Sequence, residues 1–364
     1  MKKSTLLKVG GSLAAVLLSA TLLVAAGVVS VPMPQRGPPQ KDTVIDSAMR
    51  SEVIERLIVD LNGYYVFPEQ AKAMEKALRA KQQRGDYEAI TSAEQLAATL
   101  TADIREVSHD RHLDVAYSEA VIRSQEEEDA DAPTPERLQR MRQRNFGVEK
   151  VERMDFNIGY LDLRSFAPPD LVGPKLAAAM TLLADTQALI IDLRFNDGGE
   201  PRTVALLASY LFDQRTRLND IYDRGTDRTE EYWTTDNVGG PVYGSSKKVY
   251  LLTSRDTFSA AEDFAYALKN LKRATLVGAS TGGGAHPGRE RRLNDHFGAI
   301  VPTARSISPI TNTDWEGVGV IPDVAIDPED ALDHAQLLIL RDAMDAEPDA
   351  ARRDAIAQRI SELN

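Results

Sequence analysis

The chain has 364 residues, with 43 Lys and Arg against 55 Asp and Glu, a formal net charge of −12 and no cysteine. The acidic balance argues against a nucleic-acid partner, which needs a basic surface. The absence of cysteine excludes disulfides, thiolate nucleophiles, cysteine-ligated zinc and a lipidated cysteine anchor. The five histidines (His109, His112, His286, His296 and His334) form no H-E-x-x-H motif, so neither a metal nor a cofactor is expected.

The chain opens with Lys2, Lys3 and Lys8, followed by an uncharged Leu/Ala/Val run over 9–31 and by Pro32, Pro34, Pro38 and Pro39. This pattern reads as a signal peptide or an uncleaved anchor, so the folded part is expected outside the cytoplasm, periplasmic or extracellular. A tether through residues 9–31 is one form of that expectation. Four segments follow: 1–41 as targeting segment and Pro-rich linker, 42–110 as a helical bundle, 111–346 as an α/β core and 347–364 as a closing helix.

Within 42–107, VIERLIVDL, the Glu69–Gln83 stretch and the Ser92-capped stretch to Val107 carry apolar residues at helical spacing. His112–Tyr117 alternates and predicts a strand. Residues 125–143 are dense in charge and Pro, and predict a solvated excursion with a short helix. From Asn157 the pattern becomes α/β. Strands are predicted at NIGYLDL, ALIIDLR, KVYLLTS, ATLVG and Ala299–Thr303, with helices at 174–183, 203–211 and 260–271. Helices at 330–344 and 350–363 close the chain.

In open α/β sheets, sites form beyond the carboxyl ends of strands. Two such ends carry chemistry. One is Asn196-Asp197-Gly198-Gly199 after ALIIDLR, where paired glycines let the backbone turn and aim N–H groups at a ligand. The other is Ser259 in TFSAAE, placed after VYLLTS at the start of a helix whose first N–H groups are unpaired. Gly199 N–H and Ala260 N–H are the candidate oxyanion donors around a Ser259 nucleophile. Locally, Ser259 with Glu262 three residues on also fits a capping box, and Gly198-Gly199 a plain turn.

Four motifs in order, DLRFNDGGEP, TFSAAE, VGASTGGGAHPG and NTDWEGVGVIPDV, resemble the serine peptidase family of carboxyl-terminal processing peptidases, tricorn core protease and interphotoreceptor retinoid-binding protein. The similarity runs from about Asp42 to Ala335, and the nearest branch is that of the bacterial proteins similar to interphotoreceptor retinoid-binding protein. The resemblance implies a crotonase-like α/β core of ββα units. It also implies a choice of base. The processing peptidases place a Lys after the Ser in a glycine-rich loop. The matching residue here is Gly284, and no Lys or Arg lies between Arg273 and Arg289. The segment between DRHLDV and NIGYLDL is too short for the peptide-binding PDZ domain of those enzymes. The tricorn-like branch takes a His before the core and a Glu near its end, which match His112 in DRHLDV and Glu316 in DWEGVG. Its bridging Ser before the His is replaced by Arg111. His109, in a Ser-His pair, and His286, in the glycine loop, are the other candidate bases.

The expectation is an exported serine peptidase of tricorn-like Ser259/His112/Glu316 type. It would act on peptides or unfolded proteins, with Gly198 and Trp315 lining the substrate crevice. The alternative is a non-catalytic lipid- or peptide-binding protein on the same fold.

Overall fold

The computed structural model describes residues 40–122 and 133–363. The targeting segment expected at 9–31 and part of the acidic excursion lie outside them. In chain order the elements are α1 (Ser47–Tyr64), α2 (Pro68–Gln83), α3 (Ala93–Ser108), β1 (Asp114–Tyr117), α4 (Pro135–Gln143), β2 (Val148–Met154), β3 (Ile158–Leu163), α5 (Pro169–Leu183), β4 (Ala188–Asp192), α6 (Pro201–Ser209), β5 (Arg217–Asp223), β6 (Arg228–Trp233), β7 (Lys248–Thr253), α7 (Ala260–Asn270), β8 (Thr275–Gly278), β9 (Gly288–Arg292), β10 (Phe297–Pro302), β11 (Ala304–Ile307), β12 (Val324–Ala325), α8 (Ala331–Ala346) and α9 (Ala350–Leu363). No helix among the described residues is long and apolar enough to cross a membrane.

The first three helices start where their caps dictate. Asp46 accepts the Met49 N–H at 2.8 Å, Pro68 occupies the first position of α2, and Ser92 accepts the Gln95 N–H at 2.9 Å. Their apolar stripes (Val53, Leu57 and Leu61; Met74 and Leu78; Leu96 and Leu100) meet in one cluster. That cluster continues into Leu113 and into Val115, Phe297 and Val301 of the small antiparallel sheet β1-β10-β9. Leu57 is 0% exposed. Leu57→Ala is expected to destabilise the fold by about 2–5 kcal/mol, read from the midpoint of denaturant unfolding.

The central sheet has the order β12-β8-β7-β4-β3-β2. The pairs β3/β4, β4/β7, β7/β8 and β8/β12 are parallel, and β2/β3 is antiparallel. Strands β3 and β4 are buried along their length because helices cover both faces. Leu161, Leu189, Ile191 and Leu251 enter a core with residues of α5, α6 and α7. Their neighbours Tyr160, Ile190, Tyr250 and Leu252 enter a second core with residues of α8 and α9. A third, antiparallel sheet has the order β11-β5-β6.

The α/β class holds, but the crotonase-like core of ββα units does not. A ββα repeat requires an antiparallel strand pair before each helix, and only β2–β3 precedes a helix in that way. Single helices cross over between parallel strands in β3–α5–β4 and β7–α7–β8, while the β5–β6 hairpin leaves for a separate sheet. The result is a mixed sheet flanked by two small antiparallel ones, and the continuous apolar runs of β3, β4 and β7 suit central parallel positions.

Candidate active site

The site forms where β4 and β7 end. Asn196 is fully buried. Its amide donates to Leu163 O at 2.8 Å, its Oδ1 accepts the Gly198 N–H at 2.9 Å, and its backbone carbonyl accepts the Phe258 N–H at 2.9 Å. One residue thus ties the end of β3 and the glycine turn, through its side chain, to the Ser259 segment, through its backbone carbonyl. Gly198 and Gly199 have φ of 103° and 137°. A Cβ on Gly198 would stand 2.8 Å from Ser259 Cβ, and one on Gly199 would stand 2.0 Å from Phe166 O. Only glycine can bring this backbone against the serine.

Ser259 precedes α7 with φ 55° and ψ −119°. For a non-glycine residue this is a strained conformation costing about 1–3 kcal/mol, of the kind that recurs at active sites. Glu262 reaches back from α7 to accept the Ser259 N–H at 2.9 Å. The Ser259 hydroxyl lies 3.1 Å from His112 Nε2. Among the described residues, neither Gly199 N–H nor Ala260 N–H has an acceptor. Two free donors therefore belong to the backbone that surrounds the hydroxyl.

His112 packs its ring on Phe258, with centroids 4.6 Å apart. Its backbone N–H donates to Asp110 Oδ1 at 3.0 Å, and its Nδ1 is buried without a partner among the described residues. Burial pushes the imidazole down to about 4, with Asp110 opposing that shift and His286 and Arg105 adding to it. The position expected to hold a Lys in the processing peptidases has no room for one. A Cβ on Gly284 would stand 2.3 Å from Phe258 Cζ and 2.7 Å from His112 Cε1.

Glu316 arrives from the loop before β12. Its carboxylate accepts the backbone N–H of Arg111 at 3.2 Å and that of Ala285. The Arg111 guanidinium turns away to Gly282 O at 2.7 Å. Burial and the neighbouring Asp110 charge push the Glu316 carboxyl up to about 7, against the pull of His286 and the two N–H groups. One donor atom each of Asp110, His112 and Glu316 lie within 4.8 Å of one another. This is a set of carboxylates and imidazole that a divalent cation could use, but all four carboxylate oxygens already accept N–H or O–H donors.

The structure separates the other candidates. His109 is the exposed left-handed C-cap of α3, and Ser108 bonds back to Ile104 O. His286 is buried and holds Asp110, with Nδ1 at 2.7 Å from Oδ2. Trp315 is 2% exposed within the main core, and its indole N–H donates to Gly284 O at 2.8 Å. It braces the glycine loop instead of facing an open crevice.

Sequence reasoning gave Glu262 a capping role and missed a second one. Glu262 is fully buried, and its carboxylate also accepts from Thr281 Oγ1, Gly283 N–H and Gly284 N–H, fastening the glycine loop to the first turn of α7. Burial pushes its carboxyl up to about 7, and these donors pull it back. A cleft of about 530 Å³ between α6 and β6, lined by Arg202, Leu206, Tyr232 and Trp233, contains none of these site residues.

Residues 157–326 match peptidase family S41, and residues 47–151 match the N-terminal domain of Peptidase_S41 in eukaryotic IRBP. Over 166 residues the chain is 30% identical to the chloroplastic carboxyl-terminal-processing peptidase 2 of Arabidopsis thaliana, covering 46% of this chain and 31% of that protein. The chloroplastic C-terminal processing peptidase of Tetradesmus obliquus is 28% identical over 172 residues, covering 47% and 36%. The chain therefore spans about a third of the length of these relatives. Among solved structures, a Parabacteroides merdae protein regarded as a peptidase superposes with a TM-score of 0.53 at 20% identity, covering 76% of this chain and 90% of that one. A lipoprotein from Streptococcus agalactiae gives 0.51 at 13% identity, covering 83% and 98%. At these identities the likeness is one of fold.

Proposed function

We propose that this chain, of the S41 and tricorn-like peptidase fold family, is an exported serine-type peptidase that cleaves peptides or unfolded proteins through an acyl-enzyme. The observation that carries the reading is the 3.1 Å contact between Ser259 Oγ and His112 Nε2 beside two unpaired backbone N–H groups. Ser259 Oγ attacks the scissile carbonyl and His112 Nε2 takes its proton. The Gly199 and Ala260 N–H groups receive the oxyanion. The imidazolium then protonates the leaving amine, and water repeats the sequence to release the acyl group. Nε2 serves the serine, so Nδ1 is the nitrogen left to face the carboxylates. Glu316 stands close enough to stabilise the imidazolium, through a bridging water in place of the missing serine hydroxyl. The base is histidine and not lysine, since Gly284 is enclosed by Phe258 and His112.

The match over 47–151 supports placing the chain in the branch similar to interphotoreceptor retinoid-binding protein. The basic and then apolar N-terminal sequence supports export. The lipid-carrier alternative loses its main feature, because Trp315 is packed inside the core.

The test is incubation with a fluorophosphonate probe and a diverse set of unfolded peptides; no probe adduct and no cleavage would refute the reading. Gly199→Ala examines the oxyanion donors. The added methyl cannot fit against Phe166 O, so the loop must shift. Turnover is expected to fall about 10²–10³-fold, the cost of one lost donor. An unchanged kcat would remove Gly199 from the oxyanion site.

A further inference from the structure

Three buried polar side chains from separate parts of the chain converge behind His112, and the chemistry above makes no use of them. Tyr65 follows α1, Asp110 lies in the turn after α3, and His286 lies in the loop before β9. Asp110 Oδ1 accepts the backbone N–H of His112 at 3.0 Å. Asp110 Oδ2 accepts the Tyr65 hydroxyl at 3.0 Å and faces His286 Nδ1 at 2.7 Å. His286 Nδ1 is also 3.5 Å from Glu316 Oε2, and its Nε2 is 3.9 Å from Asp314. The Phe67 ring closes another side, with centroids 5.1 Å apart. One imidazole therefore meets three carboxylates. Among the described residues no Lys or Arg forms an ion pair with Asp110, Asp314 or Glu316. Two buried carboxylates this close cannot both stay ionised without a cation between them.

We infer that Tyr65, Asp110 and His286 form a positioning device for the base: Asp110 pins the backbone of His112, and a protonated His286, bonded to Asp110, favours the charged form of Glu316 beside its imidazole. This rests on the proposed role of His112. The burial and bonding of His286 agree with it, since the carboxylates hold its pKa above the usual histidine value against desolvation. Above the Glu316 value of about 7, that carboxylate is already charged when His112 accepts the Ser259 proton, and no second proton transfer is needed. The charged groups facing the two imidazoles are Asp110, Asp314, Glu316 and, toward His112, Arg105.

The test is His286→Gln, which keeps a side-chain N–H donor and removes the charge. Without the cation, Glu316 holds its proton to higher pH. This moves the acid limb of kcat/KM upward by about one pH unit, the size of a lost charge partner at this range. KM should stay unchanged, and the rate should recover toward wild type at alkaline pH. A purely structural ion pair would instead lower the rate equally at every pH, and an unshifted acid limb would overturn the inference. Histidine ¹⁵N NMR of the wild-type protein gives a reading independent of variant folding: His286 charged at pH 7 supports the proposal, and His286 neutral overturns it. If Ser259 takes up no probe, the peptidase reading itself fails, while the NMR titration still reports the charge on His286.

Discussion

Ser259→Ala is expected to abolish peptide cleavage and fluorophosphonate labelling while leaving the fold intact. The hydroxyl is the only atom of the proposed machinery that bonds to substrate. What remains without it is the binding and oxyanion contribution, about 10³–10⁴-fold over water and below routine detection. The backbone that carries residue 259 is held by groups the substitution does not touch. Glu262 still accepts its N–H, Asn196 O still accepts that of Phe258, and Gly198 still packs against Cβ. The stability cost should be that of a lost helix-terminal hydroxyl, about 1 kcal/mol. Mass spectrometry of the labelled protein locates the adduct. A label on any other serine, or cleavage by the alanine variant, would remove Ser259 from the role.

How much of this was legible in the sequence depends on burial. Strands β3, β4 and β7 have helices on both faces, so they read as continuous apolar runs. Strands β2, β6 and β9 (VEKVERM, RTEEYW and GRERR) are half or largely exposed, β5 (RLNDIYD) is part-buried, and all four carry charges that hide their alternation. The expectation of ββα units came from the resemblance alone, and with these strands unread nothing in the residue pattern showed the hairpin that leaves for the third sheet. The glycine turn and the serine were legible because each follows a buried strand. The partnership of His112 with Ser259 spans 147 positions and is set by tertiary packing of β1 against β10. No local spacing encodes it, and only the resemblance pointed there. Asp110 carried no signal, because a lone carboxylate in a turn looks like any solvated one. His286 drew notice for its loop, but its bond to Asp110 follows from the three-dimensional convergence of that loop with the ends of α1 and α3. Trp315 looked like a crevice wall because an aromatic beside a loop carboxylate suggests a ligand, whereas its indole N–H had a carbonyl to satisfy inside the core.

His112→Ala should lower turnover by about 10⁴-fold or more, as removal of the general base of a triad does. The form of the residual activity is as informative as its size. In the wild-type protein burial holds the His112 pKa down at about 4, so the imidazole is a neutral base throughout the physiological range and its protonation does not limit the rate there. The group that does titrate is Glu316, raised to about 7. The sign follows directly. Above that value the carboxylate is charged and supports the imidazolium formed in the transition state. As pH falls through it, the carboxyl takes a proton, the support is lost and kcat/KM declines. The wild-type acid limb is therefore expected near pH 7, and it should disappear in Glu316→Gln, which keeps the shape and loses the titration. With His112 removed, the serine proton can leave only to solvent hydroxide. The residual rate should then climb steadily with pH, with no plateau. A Lys at position 284 should not restore the plateau in the His112→Ala background, because Phe258 still occupies the space its first carbon would need. An acid limb that survives in Glu316→Gln would assign the titration to another group, and near-normal turnover in His112→Ala would transfer the role of base away from the imidazole that the structure sets beside Ser259.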